Sequence, residues 1–178
     1  MRYVIAMAML MAVLAIPFSA WNKAEAASQK ESIMLMELKT GTVKIKLRED
    51  LAPNHVERIK TLIGEQFYDG IVFHRVIDGF MAQTGDPTGT GMGGSDYPDL
   101  RAEFSSEAFK RGTLGMARSQ HPDSANSQFF ICFDDSTWLN GQYTVFSEVV
   151  EGMEHIDAIA KGEPPADPDK IISLRLAD

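Results

Sequence analysis

The chain has 178 residues, of which 44% are hydrophobic and 24% charged, enough for one domain with a substantial core and too few for two of ordinary size. Its formal charge of -8 and pI near 5.0 exclude a polyanion as partner, because nucleic-acid binding draws its affinity from Lys and Arg neutralising phosphates. The single cysteine, Cys132, excludes an internal disulfide framework, and its setting in Phe129-Phe130-Ile131-Cys132-Phe133 reads as a small buried hydrophobe rather than a reactive thiol.

At the N-terminus, Arg2 precedes an apolar run from Val4 to Phe18, and Ala24-Glu25-Ala26 offers small residues at the spacing of a signal-peptidase site. This predicts a cleaved leader over residues 1–26, with Phe18-Ser19-Ala20 as the alternative site, and hence a periplasmic protein whose mature domain spans 27–178. The run is shorter than the ~20 apolar residues of a spanning helix, and Pro17 interrupts it, so no stable membrane span is expected after cleavage. Loss of Arg2, Lys23 and Glu25 removes a net +1 and takes the charge from -8 to -9.

Two strands follow, Ile33 to Leu38 and Thr42 to Leu47, the second alternating cleanly, with a hairpin at Thr40-Gly41. Pro53 suits a first helical turn, and Val56, Ile59, Leu62 and Ile63 repeat at helical spacing until Gly64 or soon after. From Ile71 to Val149 short apolar runs are broken by Gly, Pro, Asp and Asn: Ile71 to Phe73, Phe80 to Ala82, Gly115 to Ala117, Phe129 to Phe133 and Tyr143 to Phe146. This is the texture of an antiparallel barrel or sandwich. A second helix is expected over Met153 to Ala160 and a last strand over Ile171 to Leu176. No period of 20–50 residues repeats, and no heptads are present, so a monomer is expected.

Gly89-Thr90-Gly91-Met92-Gly93-Gly94 satisfies the G-x-G-x-x-G pattern but lacks a βαβ setting, since Ser95-Asp96-Tyr97-Pro98 follows. A tightly turned loop accounts for it better than a nucleotide site. The four histidines fall in no metal-ligand spacing, and no G-x-S-x-G elbow exists. His121, Asp123 and Ser124 read as turn formers rather than a triad. No cofactor or metal is expected.

More unusual is Phe73 to Asp86, which embeds Arg75 and Gln83 among large apolar residues. If it folds as strand, turn, strand, then Arg75 and Gln83 face one patch with Phe80 or Met81. By itself this segment fits better an arginine lying over apolar neighbours with its head in water. A second set of motifs decides the matter: Gly115-Met116-Ala117-Arg118, Asn126 to Ile131, and Trp138-Leu139-Asn140-Gly141-Gln142-Tyr143-Thr144-Val145-Phe146. Together with Phe73 to Asp86, and in this order, they resemble the cyclophilins from about Ile33 to Leu176.

The resemblance implies a mainly β fold, a closed eight-stranded antiparallel barrel capped by two helices, whose interior is filled by side chains. It also implies peptidyl-prolyl cis/trans isomerase activity on proline-containing polypeptides, in a surface groove. The matching residues are Arg75 and Gln83 as the catalytic pair, and Phe80, Met81, Ala117, Arg118, Gln128, Phe130, Trp138, Leu139 and Tyr143 as the substrate-binding set. Phe129, alternating with Phe130, belongs to the core. Arg118 stands where many members carry asparagine, and Tyr143 where many carry histidine. The first position acts largely through its backbone and the second lies at the pocket edge, so these departures bear on peptide preference rather than on the reaction. Trp138 matches a cyclosporin-contacting tryptophan, which implies cyclosporin binding. A non-catalytic proline-peptide binding module or holdase on the same fold is the alternative reading, and turnover separates the two.

Overall fold

The computed structural model describes residues 32–177; the expected leader and its cleavage site lie outside the described residues. Among the described residues, eight strands and two α-helices follow one another as β1 (Ile33–Leu38), β2 (Gly41–Leu47), α1 (Pro53–Gly64), β3 (Arg75–Ile77), β4 (Met81–Thr84), β5 (Thr113–Met116), β6 (Phe129–Cys132), β7 (Val145–Glu151), α2 (Met153–Asp157) and β8 (Ser173–Leu176), with a 3-10 turn at Thr137–Leu139. All pairings are antiparallel, in the order β3-β4-β6-β5-β7-β2-β1-β8.

Alternation dictates the inner face. Met34, Met36 and Leu38 of β1 and Val43, Ile45 and Leu47 of β2 are buried, with Met34 opposite Ile45 and Met36 opposite Val43, because successive strand side chains point to opposite faces. The hairpin closes at the Leu38–Gly41 pair. Helix α1 buries Val56, Ile59, Leu62 and Ile63 and packs against β7 and β8, while α2 packs against β2.

The sheet curls into a barrel that is not fully closed. Strands β3 and β8 stand at the two ends of the order and do not pair with each other; isolated bridges at Val72–Lys170 and Val76–Gly162 partly cover the seam. The reason is in the chain between those bridges, which carries Pro164, Pro165 and Pro168 and cannot donate a continuous ladder. For the same reason Ile71 to Phe73 is no ladder strand: the Phe73 amide donates to the Asp169 carbonyl at 2.8 Å and Ile171 to Ile71 at 3.0 Å. Helix α2 stops short of Ala160 because the Ala160 amide donates to the Asp169 carboxylate at 2.8 Å instead of continuing the helical ladder.

Strand β6 is buried along its whole length, and its two faces serve different clusters. Phe129 and Ile131 join the main core, whereas Phe130 and Cys132 join a second cluster with Met81, Phe109, Leu139 and Val145. Phe129 meets Tyr68 and Phe146 edge-on at 5.5 and 5.9 Å. The second cluster lies on the other face of the sheet, and Phe80, Ala117 and Tyr143 pack against it.

Candidate functional site

The second cluster is the floor of a groove. Strands β3 and β4 form the expected hairpin through Asp78-Gly79-Phe80, with Gly79 at φ 67, a left-handed conformation that favours glycine. Arg75 lies directly opposite Gln83, and Ile77 opposite Met81; Gln83 is in turn opposite Phe130. The period of two therefore brings Arg75, Met81, Gln83 and Phe130 to one face. A cavity of about 250 Å³ is lined by Arg75, Phe80, Met81, Gln83, Ala117, Arg118, Phe130, Leu139 and Tyr143. Gln128 lines an adjoining cavity of about 430 Å³, which shares Gln83, Ala117 and Arg118 with the first. Trp138, 58% exposed, stands at the rim with its ring 5.5 Å from that of Phe80. The structure thus brings together every residue singled out from the sequence.

The floor is tightly built. Phe130 stacks on Phe109 at 5.7 Å and 22° and meets Tyr143 edge-on at 5.7 Å. A Cβ at Gly115 would lie 2.5 Å from Phe130 Cζ and 2.6 Å from Phe109 Cε1, so only glycine leaves room for the two rings. Neither Phe109 nor Gly115 in this role was legible in the sequence, since each is an ordinary core or strand residue there. Cys132 lies beneath, and burial pushes its thiol up to about 12, which keeps it an inert filler.

The polar wall is a relay. Gln128 Nε2 donates to the carbonyls of Gly91 and Gly93 at 3.1 and 2.8 Å, and its Oε1 accepts from Gln83 Nε2 at 2.9 Å. The Arg118 guanidinium donates to the carbonyls of Gln142 and Ser119, each at 2.9 Å, and sits 4.5 Å above the Tyr143 ring. Its side chain is tied down, whereas among the described residues its backbone amide and carbonyl make no hydrogen bond. Among the described residues the Arg75 side chain has one hydrogen-bond partner, donating from Nε to Glu163 at 2.8 Å; Glu163 sits in a Gly-Glu-Pro-Pro stretch that carries no sequence signal beyond a turn.

The glycine-rich loop is folded around its own anion. Asp86, 1% exposed, accepts from the amides of Thr88, Thr90, Gly91 and Gly93 and from the Thr88 hydroxyl. Burial alone would raise its carboxyl, but these hydrogen bonds outweigh it and hold the group at about 2. Four of the loop's amides are already taken by this carboxylate, so it forms a wall rather than a phosphate cradle. His121, Asp123 and Ser124 form no triad either: His121 Nδ1 accepts from the Asp123 amide at 3.1 Å, and Ser124 donates to the His121 carbonyl.

Chemically, the groove offers an apolar floor, a guanidinium and an amide at one end, and exposed backbone at one side, with no activated nucleophile among the described residues. The family described as cyclophilin type peptidyl-prolyl cis-trans isomerase/CLD matches residues 33–176. A probable peptidyl-prolyl cis-trans isomerase of Brucella suis is 53% identical over 166 residues, covering 84% of this chain and 85% of that protein. A peptidyl-prolyl cis-trans isomerase of Helicobacter pylori is 35% identical over 150 residues, covering 83% and 91%. Among solved structures, a Cryptosporidium parvum cyclophilin type peptidyl-prolyl cis-trans isomerase superposes with a TM-score of 0.77 at 29% identity, over 83% of this chain and 98% of that one. A structure of the same parasite protein in the presence of the dipeptide Ala-Pro gives a TM-score of 0.76 at 30% identity, over 82% and 99%.

Proposed function

Because the chain belongs to the cyclophilin-type peptidyl-prolyl cis-trans isomerase family and is an isomerase of X-Pro peptide bonds, we propose that it works through Arg75, which donates to the rotating amide beside a proline pocket floored by Phe80, Met81, Phe130 and Leu139. The observation carrying this reading is the register of the β3–β4 hairpin, with Arg75 opposite Gln83 at the edge of the apolar floor.

The reaction breaks no covalent bond. Resonance in the X-Pro amide sets a barrier on the order of 20 kcal/mol, and uncatalysed exchange takes roughly 10–100 s. As the bond twists, the nitrogen loses conjugation and becomes a hydrogen-bond acceptor. A fixed donor aimed there stabilises the twisted state more than either planar isomer. Arginine suits the task because it stays protonated and presents a planar fork, whereas lysine is a mobile point charge. Gln83, steadied by Gln128, and the unpaired backbone of Arg118 hold the peptide on either side of the rotating bond. Ala117 leaves space beside the floor, and Tyr143 and Trp138 form its rim.

The leader-like sequence of residues 1–26 supports a periplasmic site of action, with proline-containing exported chains as clients. Exposure of Trp138 beside Phe80 supports cyclosporin binding at the rim. The test of the mechanism is the cis-to-trans exchange rate of an Ala-Pro test peptide with the mature protein and with Arg75→Ala, both verified as folded. A loss of about two orders of magnitude in the variant is expected, as for removal of one transition-state donor. Wild-type rates in Arg75→Ala refute the assignment, and binding without turnover by the wild type favours a proline-peptide binding module.

A further inference from the structure

Arg75 is steered by something other than its strand neighbour. Its cross-strand partner Gln83 commits its amide to Gln128 at 2.9 Å, so the hairpin itself supplies no hydrogen bond to the guanidinium. The one partner of Arg75 among the described residues is Glu163, whose Oε2 accepts from Nε at 2.8 Å. The terminal nitrogens, with their four N–H donors, have no hydrogen-bond partner among the described residues and remain available to the groove that Arg75 lines.

The segment bearing Glu163 is itself anchored to the strand bearing Arg75. Gly162 and Val76, the neighbours of the two charged residues, exchange both backbone hydrogen bonds at 2.8 Å. Gly162 has φ 149, and a Cβ there would lie 2.6 Å from Pro165 Cα, so the turn that presents Glu163 requires glycine. The carboxylate is thus fixed to the strand that carries the guanidinium, through the next residue of each chain segment.

We propose that Glu163 is a positioning residue for the isomerase reaction: by gripping Nε it fixes the plane of the Arg75 guanidinium and leaves the opposite, forked end facing the substrate. This rests on the reading of Arg75 as the donor to the rotating amide. A planar fork held at one edge has lost most of its torsional freedom before substrate arrives, which is the condition for a donor to act on a transient acceptor. The side chains are 43% and 52% exposed, and an ion pair so placed contributes little to stability. Its effect is therefore expected in the rate and not in the melting temperature.

The experiment measures kcat and KM for an Ala-Pro test peptide, with melting temperature, for the wild type, Glu163→Ala, Glu163→Gln, Arg75→Ala and the Arg75→Ala/Glu163→Ala double variant. Glu163→Ala is expected to lower kcat about three- to tenfold, the equivalent of one hydrogen bond, with KM and melting temperature close to wild type. Glu163→Gln, whose amide oxygen still accepts from Nε, should recover most of the rate, and Glu163→Ala should add nothing in the Arg75→Ala background. A wild-type kcat in Glu163→Ala, or an equal loss with and without Arg75, overturns the positioning role. If Arg75→Ala is impaired and Glu163→Ala is not, that role alone fails; if Arg75→Ala retains full activity, the assignment of Arg75 fails and this inference with it.

Discussion

Replacing Gly115 by alanine should damage the groove from beneath. The added methyl would stand 2.5 Å from Phe130 Cζ, 2.6 Å from Phe109 Cε1 and 3.0 Å from Phe109 Cζ, where ordinary carbon contacts are about 3.5–4.0 Å. Both rings must therefore shift by about 1 Å. Phe109 is fully buried and stacked against Phe130, so its displacement adds to that of Phe130, which lines the groove and has room to move there. Overpacking of this kind costs about 1–3 kcal/mol, which in a domain of this size lowers the melting temperature by roughly 3–10 °C. A 1 Å rise of the floor should reduce kcat/KM by about tenfold to a hundredfold. Thermal unfolding and the Ala-Pro exchange assay read the two effects, and a second substitution, Phe109→Leu, should restore part of both by making space on the buried side. A Gly115→Ala variant with wild-type melting and kinetics would refute the claim that the two rings fill the space over Gly115.

Asp86→Asn should cost about 2 kcal/mol by weakening a buried set of charge-assisted hydrogen bonds, measured by urea unfolding. Because the native Asp86 carboxyl is held at about 2, below an unfolded value of about 3.9, its stabilisation is complete above about pH 4 and is lost as pH falls toward 2; the variant should lose this part of the acid limb. His55 is fully buried, with Nδ1 2.6 Å from Glu103 and no hydrogen-bond partner for Nε2 among the described residues. Burial lowers its affinity for a proton, against the opposing pull of Glu103, so the stability it contributes is present above about pH 6.5 and declines as pH falls below that. Melting temperatures from pH 7.5 to 5 should show this slope, and His55→Gln should reduce it. Cleavage after Ala26 would remove Trp21 and leave Trp138 as the sole tryptophan of residues 27–178; titration of that species with cyclosporin should then change its emission and inhibit exchange, and no change in either would count against binding at the rim.

The sequence was most informative where one periodicity operated alone. The alternation of Phe129 and Phe130 across the sheet, and the opposition of Arg75 and Gln83 in a hairpin, both follow from the strand period of two and stand in the structure as expected. What escaped is what long-range packing decides. Closure of the barrel fails at a proline-bearing connection whose place beside β3 is not written in its own residues. The Asp86 hub depends on four amides that a loop must fold to bring together. The pairing of Glu163 with Arg75 spans 88 positions, and an exposed glutamate in a turn gives no local sign of it.

Burial of β6 on both faces has a consequence for the life of the chain before it is folded. Phe129-Phe130-Ile131-Cys132-Phe133 carries no charge and no proline, the composition that drives unfolded segments into intermolecular cross-β stacks. In the native sheet β6 lies between β4 and β5 and offers no free edge. The ends of the sheet are the short strands β3 and β8, so fraying that begins at the seam peels away other strands first. From the β3 end two strands, β3 and β4, must be lost before β6 becomes an edge, so this self-associating stretch stays covered for as long as they hold.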